Sequence, residues 1–144
     1  MIRKAELWDA ERITELWGKM MEEIEGGDWT ANESFFVSCI YKIKNADYLT
    51  LVVEEDDYII GFLQGYITNV EYKTELKGFC DNLYIEPEYR KKGIAHALVE
   101  ESTEWGYRRG VSTIDFITVY DDRVIKAWKR KGFIPYKVIY RREV

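Results

Sequence analysis

Apolar residues fall along this chain in two rhythms, one near 3.6 residues and one of two, and their alternation lays out its elements. After Asp9, which stands where a helix cap belongs, Ile13, Leu16, Trp17, Met20, Met21 and Ile24 recur at helical spacing. Gly26 and Gly27 stop that helix. Phe35, Phe36, Cys39, Ile40 and Ile43 predict a second helix over residues 32–44. β-rich runs follow at 48–53 and 58–68, with the acidic quartet 54–57 between them as a hairpin turn. Residues 74–85 read as the next strand. A long helix over 93–109 keeps Ile94, Ala97, Leu98, Glu101 and Trp105 in register until Gly110 ends it. A strand over 111–119, a short helix over 122–131 and a last strand over 136–142 complete the chain. With a first strand over residues 1–5, the order is β-α-α-β-β-β-α-β-α-β, a mixed α/β arrangement around a central sheet.

Composition narrows the class. Hydrophobic residues make up 47% and aromatics 15% of the 144 residues, which excludes disorder. No repeat or Pro/Ser-rich linker divides the chain, so residues 1–144 read as one domain. The net charge of −5 argues against a general nucleic-acid binder and favours cationic or amine substrates. Cys39 and Cys80 match no metal-ligand spacing, and His96 is alone, so free thiols and no metal are expected. Charge from Arg3 onward and the lack of a long apolar run point away from export or membranes, towards the cytoplasm. No Gly-x-x-x-x-Gly-Lys-Ser/Thr pattern occurs, which disfavours nucleotide hydrolysis.

The densest signal is residues 81–95. A strand-like run, Asp81-Asn82-Leu83-Tyr84-Ile85, passes through Glu86-Pro87 into Arg90-Lys91-Lys92-Gly93-Ile94-Ala95 at the start of a helix. A strand feeding a tight basic turn aims several main-chain N–H groups and a helix N-terminus at one point, which suits an anion. These residues match Arg/Gln-x-x-Gly-x-Gly/Ala through Arg90, Gly93 and Ala95. A second block, from Asp121 to Phe133, ends in Trp128-Lys129-Arg130-Lys131-Gly132-Phe133, an aromatic followed by three residues and Gly-Phe. On these two blocks the chain resembles the GNAT superfamily of acetyl-CoA-dependent N-acetyltransferases, and the order of elements fits along essentially its whole length. The resemblance implies a single-domain GNAT fold. Its central mixed sheet has about six to seven strands flanked by four helices, with strands splayed at the cofactor site.

It implies acetyl-CoA as cosubstrate and direct attack of a primary amine, from a small molecule or a peptide, in a ternary complex. The alternative is a module of the same fold that binds CoA without catalysis. By the resemblance, the amides of Lys91, Lys92, Gly93, Ile94 and Ala95 cradle the diphosphate, and Arg90 completes the loop. His96 either adds a phosphate contact or is a solvated helix position. The main chains of Leu83 and Ile85, with Tyr84 between them, pair with the pantetheine arm, while the Leu83 and Ile85 side chains serve the core. Asp81 is the candidate base; the other reading is a strand-edge carboxylate at a β-bulge. Glu22, Glu23, Glu25 and Asp28 are its rivals.

Two positions depart from the family. Trp128 stands where many members have a tyrosine that serves the departing thiolate, and its indole N–H donates without giving up a proton. Asp121 replaces an asparagine. Both are assigned to the cofactor site, and Tyr120 is the substitute donor. On the acceptor side, Glu25, Asp28 and Trp29, with Phe35, Phe36 and Tyr41 nearby, suggest an amine with an apolar body. The apolar-aromatic run 136–140 suits pairing of two copies into a homodimer.

Overall fold

The computed structural model describes residues 1–30, 32–70 and 74–144, and among these it has five strands and four helices. Strand β1 (Ile2–Lys4) precedes helices α1 (Ala10–Glu25) and α2 (Glu33–Lys44). Strands β2 (Tyr48–Glu55), β3 (Tyr58–Asn69) and β4 (Leu76–Ile85) follow, and then α3 (Ile94–Arg108), β5 (Val111–Phe116) and α4 (Asp122–Arg130). The strands lie in chain order across one mixed sheet, antiparallel from β1 to β4, with β5 parallel to β4. Asp56 and Asp57, both at positive φ, form the hairpin turn between β2 and β3. Among the described residues no helix is long and apolar enough to cross a membrane.

Helices α1 and α2 cover one face of the sheet. Ile13, Leu16, Phe35 and Cys39 pack there against Val52, Phe62 and Tyr84. Helix α3 covers the other face, where Leu98 meets Leu51, Val53, Leu63 and Ile85. The alternation of Leu51, Val52 and Val53 between the two clusters is the period of two expressed in space. Both thiols are buried and unpaired, and burial pushes Cys39 up to about 11 and Cys80 up to about 12.

Three cross-strand rows run over the α1/α2 face. The first is aromatic, Tyr48–Tyr66–Phe79; the second is Thr50–Gln64–Asn82; the third is Val52–Phe62–Tyr84. Gln64 is buried and links the second row, donating to Thr50 Oγ1 at 3.4 Å and accepting from Asn82 at 3.4 Å. Between Phe79 and Asn82 the β3–β4 register shifts, leaving Asp81 with no cross-strand partner in β3. This bulge turns Phe79 and Tyr84, five residues apart, towards the same face.

Three expectations need correction. The sheet has five strands, not six or seven, because residues 136–142 form no strand. A strand must find a neighbour for its main-chain groups, and no described segment pairs with this run. Its Tyr136, Ile139 and Tyr140 side chains stay exposed. Asp9 does stand at the N-cap of α1, yet its carboxylate does not bond the helix. It accepts instead from Arg3, at 2.8 and 3.1 Å, and from the Glu6 amide at 2.7 Å. Phe35 belongs to the core, not to an acceptor groove: it stacks on Trp17 at 4.3 Å, while its neighbour Phe36 faces out.

Candidate functional site

Strands β4 and β5 run side by side only as far as Cys80 and Phe116. The Ile117 N–H donates to the Cys80 carbonyl at 2.8 Å, and beyond it β4 continues through Ile85 without β5. Across the ladder on the other side, the Glu86 N–H donates to Ile60 at 2.8 Å. Bonded and non-bonded pairs alternate in an antiparallel ladder, so the main-chain groups of Leu83 and Ile85 point away from β3 into the gap. Their side chains pack on the α3 face, Ile85 buried and Leu83 partly so.

The chain then turns through Pro87–Tyr89. Lys91 and Gly93 both take positive φ, of 62° and 82°, which brings successive N–H groups round towards the start of α3. The first amide of α3 with a main-chain acceptor is Ala97, bonded to Gly93 at 3.0 Å. Among the described residues, the N–H groups of residues 91–96 have no acceptor within the fold. Six unsatisfied donors at the positive end of a 15-residue helix fit an anionic group such as a diphosphate. A Cβ at Gly93 would meet no atom within 4 Å, so only the left-handed backbone demands glycine there. Lys91, Lys92 and Ala95 are exposed around this point. His96 is exposed as well, with Nδ1 4.0 Å from Glu100.

Arg90 does not reach round into the turn with these amides. Its Nε donates to the Ile85 carbonyl at 2.8 Å, and its outer nitrogen donates to both oxygens of Glu23, at 2.8 and 3.0 Å. The Tyr84 hydroxyl donates to the same Glu23 at 3.2 Å. Burial, then the Glu23 charge, pushes Tyr84 up to about 12, so it remains a phenol. Further back on α1, Lys19 one turn and Arg12 three turns before Glu23 both donate to Glu86, Arg12 at 2.6 Å and Lys19 at 2.8 Å. Helix α1 is thereby tied twice along its length to the segment from which the turn springs. These ties were invisible in sequence, where Glu23 was only a rival base and Glu86 carried no signal.

Asp81 is exposed at the bulge where the strands part. It sits close enough to Tyr66 that its charge, after burial, raises that phenol. Tyr120 is 78% exposed in the loop leading to α4. Asp121 caps α4: its Oδ1 accepts from the amides of Arg123, at 2.8 Å, and Val124, at 3.4 Å, and the Arg123 amide is the main cause holding it below the usual carboxylate range. Trp128 packs at 5.2 Å from Phe116 and 4.8 Å from Phe133, so the aromatic-x-x-x-Gly-Phe block builds a small ring cluster under α4.

The expected acceptor residues divide. Trp29 donates its indole N–H to the Gly26 carbonyl at 2.6 Å and meets Trp17 edge-on. With Phe36, Trp8, Glu11, Glu15 and Glu22 it lines an open groove of about 920 Å³ along the outer side of α1. Asp28 is occupied by Thr30, whose hydroxyl and amide hold it below the usual range. Glu25 lies 3.9 Å from Arg141. Tyr41 joins Tyr48 at the end of the aromatic row, at 5.9 Å. That row escaped the sequence reading because the bulge, which decides its register, leaves no mark in composition or spacing.

The sequence model of the Acetyltransferase (GNAT) family matches residues 10–133. Streptothricin acetyltransferase A of Bacillus subtilis (strain 168) is 26% identical over 97 residues, which are 62% of this chain and 56% of that protein. This chain therefore spans little more than half the length of that relative. Among solved structures, an aminoglycoside acetyltransferase, HMB0005, from an uncultured soil metagenomic sample superposes with a TM-score of 0.81 at 18% identity. That match covers 100% of this chain and 97% of the other. Aminoglycoside N-acetyltransferase AAC(6')-Iy in complex with CoA gives 0.77 at 18% identity, covering 99% of this chain and 93% of the other.

Proposed function

Because this chain belongs to the acetyltransferase (GNAT) family, we propose that it moves the acetyl group of acetyl-CoA onto a primary amine of a small molecule or peptide by direct attack in a ternary complex. The observation that carries the reading is the run of unsatisfied amides over residues 91–96, set beside strands that have parted. CoA in a neighbour of the same fold supports the donor, and the aminoglycoside and streptothricin in the names of that neighbour and of the relative support a small-molecule acceptor.

Acetyl-CoA supplies an acetyl group activated as a thioester; the remaining roles belong to the chain. The amides of Lys91, Lys92, Gly93, Ile94, Ala95 and His96 hold the diphosphate, with the charges of Lys91 and Lys92 alongside. Leu83 through its main chain, and Ile85 through its N–H (its carbonyl being held by Arg90), pair with the amides of the pantetheine arm. Arg90 and Tyr84 act from behind, through Glu23, to keep the turn in place. Asp81 takes a proton from the acceptor ammonium, and the neutral nitrogen then forms its bond to the acetyl carbon as the carbon–sulfur bond breaks. The thiolate leaves with the electron pair, accepting a hydrogen bond from Tyr120, and takes up the second proton, which the nitrogen sheds as the neutral amide forms. Asp121 and Trp128 shape this end of the site through the cap of α4 and the ring cluster.

Calorimetric titration with CoA, combined with thiol release from acetyl-CoA over a panel of primary amines, tests the proposal. Heat on CoA addition and amine-dependent thiol release are expected. Absence of heat with CoA refutes it.

A further inference from the structure

The aromatic row on the α1/α2 face has no structural task that accounts for it. Tyr48, Tyr66 and Phe79 belong to neither hydrophobic core, yet their rings form one surface, with centroids 5.6 Å apart for the first pair and 5.4 Å for the second. Tyr66 and Phe79 stack within 23° of parallel and are only half-buried. The row ends beside Asp81, at the residue where β4 parts from β5. Asp81 also raises the Tyr66 phenol, second to burial, so its charge lies within electrostatic reach of that ring.

We propose that Tyr66 and Phe79, flanked by Tyr48, seat the apolar body of the acceptor while Asp81 receives its amine, making the acceptor an arylalkylamine with a single positive charge. This rests on the acetyltransferase reading above. A flat ring gains from offset stacking on the pair, and a primary ammonium two or three bonds away reaches the carboxylate at the row's end. Cations already lie over both ends of the row. Lys42 Nζ is 5.9 Å from the Tyr48 ring, and Lys77 Nζ, itself paired with Asp115 at 2.7 Å, is 5.1 Å from Phe79. Lys77 is neutralised by Asp115, so a second positive charge on the acceptor meets Lys42 at the far end of the row, and polycations are disfavoured.

The test uses the full chain with acetyl-CoA and three amines: 2-phenylethylamine, hexylamine and spermidine. The expected order of kcat/KM places 2-phenylethylamine first and spermidine last. Tyr66→Leu and Phe79→Leu keep apolar volume but remove the ring; each lowers kcat/KM for 2-phenylethylamine about tenfold, leaves hexylamine within about twofold, and leaves CoA affinity by calorimetry unchanged. Saturable shifts of the Tyr66 and Phe79 ring signals by NMR on adding 2-phenylethylamine to the unmutated chain make the same test without a variant. A chain that binds CoA but prefers spermidine, turns over none of the three amines, or keeps the same ratio of 2-phenylethylamine to hexylamine in both leucine variants overturns this inference alone. Absence of CoA binding overturns the acetyltransferase reading with it.

Discussion

Replacing Glu86 by glutamine removes one negative charge from a place where two positive ones converge. The Glu86 side chain is 10% exposed, and its Oε1 accepts from both Arg12 and Lys19. Arg12 is itself 15% exposed and cannot swing away cheaply, since its Nε donates to the Ile59 carbonyl at 3.0 Å. Removing one partner of a buried ion pair costs about 3–5 kcal/mol. Lys19, 46% exposed, recovers part of its hydration, so the whole change is expected to cost about 2–3 kcal/mol. For a chain of this size that corresponds to a drop in Tm of roughly 6–12 °C. The pH dependence supplies the control. Burial raises the Glu86 carboxyl, but the hydrogen bonds from Lys19 and Arg12 outweigh it and hold the group below its ordinary 4.5. A carboxyl depressed in the folded state contributes fully above its ordinary value and loses that contribution as pH falls through its folded value. Urea unfolding followed by circular dichroism should therefore show a gap between wild type and E86Q at pH 7 that closes progressively below pH 4.5. Asp9, also depressed, is present in both proteins and cancels. A gap under about 0.5 kcal/mol at pH 7, or one that stays constant into acid, refutes the ion-pair account.

Gly93→Ala meets no neighbour and carries only the left-handed backbone penalty, about 1 kcal/mol in urea unfolding; Gly93→Glu in addition should abolish the heat of CoA binding, and unchanged affinity would remove the turn from the cofactor site. Asp81→Asn should lower kcat about 10²–10⁴-fold with the KM for acetyl-CoA held, read by steady-state kinetics; an unaltered kcat excludes Asp81 as the base. Glu23→Gln breaks an ion pair whose side chains are 40% and 45% exposed, so stability should change by less than about 1 kcal/mol. The Kd for CoA should still rise about threefold through the loosened Arg90, and a Kd equal to wild type shows that the tie does not matter for binding. Gly65→Ala places a Cβ 2.6 Å from the Phe79 carbonyl oxygen and should cost about 1–3 kcal/mol in urea unfolding, because backbone there has to move.

Much of this molecule was legible because its information is local. The helical rhythm of Ile13, Leu16 and Met20 needs only a core to face, and all three are buried. Gly93 ahead of an apolar helical run announced the turn and the start of α3 for the same reason. What stayed hidden depends on register or on distant partners. A period-two pattern at 136–142 reports a tendency to extend, but says nothing of whether a neighbouring strand is there to receive it. Phe35 and Phe36 differ only by helix phase, which the Asn32 cap sets by accepting from the Phe35 amide at 2.8 Å. Arg90 looked like part of an anion site from its charge; that it braces Ile85 and Glu23 could be learned only from where α1 ends.

The unpaired residue at position 81 makes β4 two half-strands of opposite phase spliced end to end. Deleting that residue would make Cys80 and Asn82 consecutive partners of Gly65 and Gln64, a regular ladder with Phe79 and Tyr84 still on one face, whereas deleting a paired residue of β4 would exchange inside for outside along one of the halves. Length changes at the paired positions of this strand are therefore a far harsher mutation than substitutions, while loss of residue 81 removes the bulge and the proposed base together. For folding alone, variants diverging from this chain should lose residue 81 more readily than any paired residue of β4.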